Sequence, residues 1–309
     1  MNMAGGWFAL MLLLALRSLG ATGTLWDSTR WAEEPAGVNC GKTNWVHIPK
    51  TSSTFCLNLQ HVCCKDRFEQ LTSNVTTGHL ESLGKAVTRP NAPMHYTTQY
   101  CFTFERAGYE PLKCVFAGRP EHLPVSKDFA EQQSIVIIRE PRSRLISAFL
   151  DAVHVEGMRD SKLFRDHINN ITREGSPEAL LKGMETYAAH SDTMGCQTKM
   201  LIGQHCAGPF QLTQASVEEA AERLSRFYFV GVFEQYARSL RLFHAMAGAH
   251  TEPSDVELFP VRTANEHRKA YLHQHFQYSD PWDSALHARA QQIFEEELSY
   301  VNQKYATHI

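Results

Sequence analysis

The chain carries almost no charge of one sign in excess: 30 Lys and Arg stand against 33 Asp and Glu, a formal net charge of -3. A broad basic face for nucleic acid is therefore not expected, and any anion bound here must be held by a few local cations. Long hydrophobic runs are also scarce. The main apolar run, Trp7 to Leu16, falls well short of the ~20 residues that a helix needs to cross a bilayer. The motif Gly-x-x-x-x-Gly-Lys-Ser/Thr is missing, and so is an apolar strand ending in a magnesium-binding Asp; both absences argue against a nucleotide kinase or hydrolase. No Cys-x-x-Cys pair with matching His spacing suggests structural zinc. There is no internal repeat and no low-complexity segment. With 43% hydrophobic and 20% charged residues over 309 positions, what remains is an ordinary globular composition, enough for one large core or two modest ones.

The N-terminal part has the marks of the secretory pathway. The apolar run is followed by Arg17 and the small residues Gly20-Ala21-Thr22-Gly23, although no Lys or Arg precedes it. Residues 1–23 are thus expected to be a signal peptide or a signal anchor. Residues 24–43, polar with Gly and Pro, are expected to form a stem or linker, and 44–309 the folded domain. Asn74-Val75-Thr76 and Asn170-Ile171-Thr172 are N-glycosylation triplets. The eight cysteines are even in number, as suits a compartment where disulfides persist. Cys196 and Cys206, joined by a short loop, are the first pair expected to close. Together these features predict a glycoprotein of the secretory pathway, in the endoplasmic reticulum and Golgi lumen, touching membrane only through its N-terminal segment if that is not cleaved.

Within the domain, strands alternate with helices. Trp45-Val46-His47-Ile48 is strand-like and stops at Pro49, after which Phe55, Leu59 and Val62 share a helical face. Lys113 to Phe116 is a candidate small strand. Ser134 to Ile138 is a continuous apolar run of the kind buried on both faces of a parallel sheet. Pro141 then suits the first turn of a helix that turns Leu145, Phe149 and Ala152 inward. Helical pieces are expected at 161–168 and 177–190, a third strand at 227–232, a helix presenting Tyr236, Leu240, Phe243 and Ala247, and a last helix at 284–300. This alternation predicts an α/β fold around a mostly parallel central sheet.

Two strand-to-helix junctions carry the chemistry. In the first, His47-Ile48-Pro49-Lys50-Thr51-Ser52-Ser53-Thr54, hydroxyls and helix N–H groups suit a phosphate or sulfate and Lys50 adds a point charge, although the same residues also make an ordinary capped turn. In the second, Arg139-Glu140-Pro141-Arg142-Ser143-Arg144-Leu145-Ile146-Ser147, Arg139 stands at the carboxyl end of the buried strand, where open α/β sheets bind ligands, and its planar fork suits a phosphate. The alternative for Arg139 is a solvent-facing ion pair with Glu140.

Taken together, the two junctions resemble the paired cofactor motifs of the P-loop sulfotransferase family, His-Ile-Pro-Lys-Thr-Gly-Gly-Thr and Arg-Asp/Glu-Pro…Ser-Arg…Ser. The resemblance is to its membrane-associated carbohydrate branch, which includes heparan and related glycan O-sulfotransferases. It is clear over 44–64 and 135–153, and weaker over 195–203 and 229–245. It implies a P-loop nucleotide-hydrolase-like three-layer sandwich and the co-substrate 3′-phosphoadenosine 5′-phosphosulfate, with no metal and with a glycan or other hydroxyl-bearing acceptor. Lys50, Thr51, Ser52, Ser53 and Thr54 would cradle the 5′-phosphosulfate, while Arg139 and Ser147 would hold the 3′-phosphate. Lys50 would also stabilise the leaving phosphate. The chain departs from the family at Ser52-Ser53, where two glycines are usual; serine hydroxyls there add donors but tolerate close backbone approach less well.

Transfer to a hydroxyl requires a base, and His is the side chain best tuned for it near neutral pH. His79, in Thr77-Gly78-His79-Leu80, resembles the Gly-His or Leu-His motif that carries the base in related glycan enzymes. His95, His61 and His154 are the reserves, and Glu81 the non-histidine alternative. Arg262 is either a loop residue closing over the nucleotide or, as preferred, a surface charge. Competing expectations are a P-loop kinase or hydrolase, and a luminal binding protein of the same fold in which Ser52-Ser53 has cost turnover.

Overall fold

The run Ser134–Ile138 is the central strand of a parallel sheet, and all five of its residues are buried. The computed structural model describes residues 44–51, 55, 124–125, 134–151, 166, 170–171, 175–189, 193–206, 208–247 and 265–305, all of which belong to one unit, Gly37–Ile309. Among them, β1 (Asn44–Val46), β2 (Ser134–Ile138) and β3 (Phe229–Val232) lie in the order β1-β2-β3. The register sets Val46 beside Val136 and Ile138 beside Val232. Because the strands are parallel, their carboxyl ends share one edge, at Ile48–Lys50, Arg139 and Phe233. The described residues are mixed α/β, largely helical around this small sheet.

Seven helices are described: α1 (Pro141–Asp151), α2 (Pro177–Ala188), α3 (Cys196–Leu201), α4 (Gln214–Ser225), α5 (Tyr236–Met246), α6 (Glu266–His275) and α7 (Pro281–Tyr305). Alternate strand residues choose different neighbours, as the two-residue period of a strand requires. Val136, Ile138 and Val230 pack with Cys196, Met200 and Leu201 of α3, Ala220 and Leu224 of α4, and Leu286, Ala290 and Ile293 of α7. Phe229 instead stacks on Phe55 and meets Phe243 of α5 edge-on, and these three aromatic rings form a second apolar layer. Packing is close at Gly231, where a Cβ would stand 2.3 Å from Ile137 Cδ1. A separate cluster joins Leu145, Ile146 and Phe149 of α1 to Leu180, Met184 and Tyr187 of α2 and Leu272 of α6.

The strand at Ser134–Ile138, the start of α1 at Pro141 and the inward Leu145 and Phe149 match the sequence reading. Other bounds shift. β1 is shorter than expected and ends at Val46, and β3 begins only at Phe229. The final helix starts three residues early because the Asp280 carboxylate accepts from the Asp283 N–H and caps it at 3.0 Å. α5 ends at Met246, so Ala247 closes that helix rather than lying on its face. The sequence reading has no counterpart for α3, α4 and α6. Positions 59, 62, 113–116 and 152 lie outside the described residues. The expected pair Cys196–Cys206 is a disulfide. Among the described residues no helix is long and apolar enough to cross a membrane.

Candidate functional site

The carboxyl edge of the sheet gathers the charged residues of both junctions. After β1 the chain turns sharply: the Thr51 N–H and hydroxyl both donate to the Ile48 carbonyl, at 3.3 and 2.9 Å. The turn puts Lys50 in the left-handed region at φ 67°, an uncommon place for a side-chain-bearing residue and one that costs on the order of 1 kcal/mol. In this conformation the Lys50 carbonyl is met by Arg139, whose Nη1 donates to it at 2.9 Å.

Arg139 is 9% exposed. The face of its guanidinium lies over the Phe233 ring, 4.0 Å from the centroid, a favourable stack for a partly desolvated cation. Its Nε is buried without a hydrogen-bond partner, and no ion pair joins it to a carboxylate among the described residues. Burial pushes its pKa down to about 10, with Glu234 opposing that fall, so it stays cationic near neutral pH. The main chain of Arg139 is held separately. Its N–H donates to Gln197 Oε1 at 2.9 Å, and its carbonyl accepts from Gln197 Nε2 at 2.8 Å.

The solvent-facing pair of Arg139 with Glu140 does not form. Glu140 turns back over the first turn of α1, where its carboxylate accepts from the Arg142 N–H, the Ser143 N–H and the Ser143 hydroxyl at 2.9, 2.7 and 2.6 Å. Burial would raise its pKa, but these hydrogen bonds win and hold it below the usual carboxylate value. The helix therefore caps itself, and an anion beside Arg139 must be held by side chains rather than by these N–H groups. Ser147 is half-buried one turn beyond Ser143, on the same side of α1.

Glu234 ties the edge together from the end of β3. One of its oxygens accepts from the Glu140 N–H at 3.0 Å, and the other lies 3.1 Å from His287 Nε2. Beneath the edge, Asp283 accepts from the N–H groups of Gln197 and Thr198 and from the Thr198 hydroxyl. Asp280 accepts from the Gly195 N–H at 2.7 Å and from the Tyr278 hydroxyl at 3.3 Å. Gly195 sits at φ 66°, and a Cβ there would collide with Leu212, so only glycine presents its N–H in this way. Burial and neighbouring Asp283 push the Asp280 carboxyl up to about 6. Arg144, also buried, donates to the Thr193 carbonyl at 3.2 Å.

The structure thus joins Lys50 to Arg139, with Thr51 in the adjoining turn and Ser147 on the following helix. Ser52, Ser53, Thr54, His79, the reserves His61, His95, His154 and Glu81, and Arg262 lie outside the described residues. Gln197, Phe233 and Glu234 belong to the site without having been singled out in the sequence. An acidic residue two positions past an apolar strand is the one signal that could have found Glu234; the burial of Gln197 shows only in the structure. Among the described residues no group of three or more His, Cys, Asp or Glu is placed to hold a metal ion. Comparison with protein-family models, curated proteins and solved structures finds no match for this chain.

Proposed function

We propose that this chain is a sulfotransferase that moves a sulfuryl group from 3′-phosphoadenosine 5′-phosphosulfate to a hydroxyl of a carbohydrate in the Golgi lumen. The observation that carries the reading is the hydrogen bond from Arg139 to the Lys50 carbonyl. It brings two motifs 89 residues apart to adjacent strand ends on the carboxyl edge of a parallel sheet, the edge where such sheets bind nucleotides. A buried guanidinium with an unpartnered Nε suits a doubly charged phosphate better than it suits water. In this reading the sheet is the centre of a three-layer P-loop-like sandwich.

The chemistry is an in-line displacement. The acceptor oxygen attacks sulfur, the bond from sulfur to the 5′-phosphate oxygen breaks, and the electron pair leaves on that phosphate. The acceptor's proton passes to His79. Lys50 stabilises the charge growing on the leaving oxygen, an interaction stronger in the transition state than before it. Arg139 and Ser147 hold the 3′-phosphate and so align the donor, and orientation supplies much of the rate.

Isothermal titration of the chain from Thr24 onward with adenosine 3′,5′-bisphosphate tests the reading. Micromolar binding is expected, weakened tenfold or more, about 1.4 kcal/mol, by Lys50→Ala and by Arg139→Ala. Sulfate transfer from the donor to a glycan panel should follow, and His79→Ala should abolish it while leaving bisphosphate binding intact. A folded wild-type protein that ignores the bisphosphate, or that prefers ATP with magnesium, overturns the proposal.

A further inference from the structure

We infer that Gln197 is the positioning residue of the 3′-phosphate site, acting through the main chain of Arg139; the inference rests on the sulfonucleotide reading above. Arg139 is the first residue past β2, where paired strands no longer supply hydrogen bonds: the β2–β3 register ends at Ile138 and Val232, and the β1–β2 register at Val136. Its N–H and carbonyl are nevertheless at a buried position, where unpaired main-chain groups are costly. The Gln197 side chain replaces the missing strand neighbour by meeting both groups at 2.9 and 2.8 Å. The orientation of its amide is fixed by chemistry, because a flipped amide would set donor against donor and acceptor against acceptor.

Fixing both main-chain groups of Arg139 fixes the direction of its Cα–Cβ bond. The guanidinium then lands where one side faces Phe233 and Nη1 faces the Lys50 carbonyl. Gln197 is itself immobilised. It is fully buried, its N–H is held by Asp283, and its neighbour Cys196 is tied to Cys206. A shell this closely held serves direction more than affinity, since small misplacements of a charged fork lose a bidentate contact. The Gln197 amide is spent on the main chain of Arg139, so it acts through that residue.

The test compares two nucleotides on three proteins. Wild type, Gln197→Met and Gln197→Asn are titrated with adenosine 3′,5′-bisphosphate and with adenosine 5′-monophosphate, which lacks the 3′-phosphate, and thermal unfolding is recorded beside each titration. Methionine keeps the length without the hydrogen bonds; asparagine keeps the amide but is too short to span both main-chain groups, and it serves if the methionine variant does not fold. Wild type should favour the bisphosphate at least tenfold. The variants should lose fivefold or more of that preference, with monophosphate affinity within twofold of wild type. In an Arg139→Ala background Gln197→Met should change the preference no further. A folded variant that keeps the preference overturns the inference, and so does one that weakens both nucleotides equally, which would mark a general structural role. A wild type with no preference for the bisphosphate overturns the sulfonucleotide reading itself, a result visible before any Gln197 variant is measured.

Discussion

The two strand ends that meet at the site are built in opposite ways. The end of β1 is local: a turn closed within four residues, from Ile48 to Thr51, with Lys50 held at a positive φ. The end of β2 is braced from far along the chain, by Gln197 at a separation of 58 residues and by the Lys50 carbonyl at 89. A local turn can place a carbonyl and a charge with little help from the rest of the fold. A buried guanidinium cannot be placed so simply, because its desolvation must be offset by a stack, a main-chain clamp and nearby negative charge. On this view β1 contributes a conformation and β2 contributes a scaffold, and the two ends should fail differently when perturbed.

The largest effect should come from cutting the brace beneath β2. Asp283 is fully buried and accepts three hydrogen bonds from Gln197 and Thr198. Asp283→Ala leaves those donors unsatisfied and should cost about 2–4 kcal/mol, read as a lower urea midpoint. If urea unfolding shows less than about 0.5 kcal/mol, Gln197 is not held through Asp283 and the contrast between the two ends weakens.

A smaller effect belongs to pH. The Asp280 carboxyl has a folded value of about 6 against an ordinary 3.8, so between these values the folded state binds more proton than the unfolded state. Stability contributed here therefore falls as pH rises from about 4 through about 6 and is flat above, by an amount on the order of 1–3 kcal/mol. Glu140 works in the other direction and at lower pH: its folded value is depressed, so its contribution is complete above about 4.5 and is lost as pH falls through the folded value. Unfolding midpoints across pH 4–7 should show the decline, and Asp280→Asn should flatten it. A decline that survives in Asp280→Asn assigns the titration to another group.

What the sequence disclosed follows the same division between local and distant. β2 was legible because a run buried on both faces needs no period, and α1 because Pro141 marks its first turn. The disulfide was legible because its loop is short. α3 was not, since all six of its residues are buried and an all-buried helix shows no amphipathic repeat. α6 is also hidden, with Leu272 its one buried residue. α4 did carry a local signal, the reciprocal Thr213 and Ser216 caps, that could have been used. Lys50 and Arg139 were recognisable as cations at strand ends, but their contact was not, and neither was the choice of Glu140 to cap its own helix rather than pair with Arg139. Gln197 illustrates the limit: nothing within ten residues of it shows that its amide stands in for a strand.

The smallest effect separates conformation from charge at the end of β1. Lys50 holds a left-handed angle that glycine adopts freely. Lys50→Gly should relieve that strain, offset in part by the greater freedom of glycine in the unfolded chain, for a net gain of up to about 1 kcal/mol in thermal unfolding. The same change removes the cation that, in the proposed reaction, stabilises the leaving group, so on that proposal sulfate transfer should fall by two orders of magnitude or more while the Arg139 contact, made to a main-chain carbonyl, is kept. Lys50→Ala retains the strain and loses the charge; it should match the glycine variant in transfer and lie below it in stability. If the two variants are equally stable, the turn is set by the protein around it rather than by its own backbone preference, and the end of β1 would prove as dependent on distant support as the end of β2.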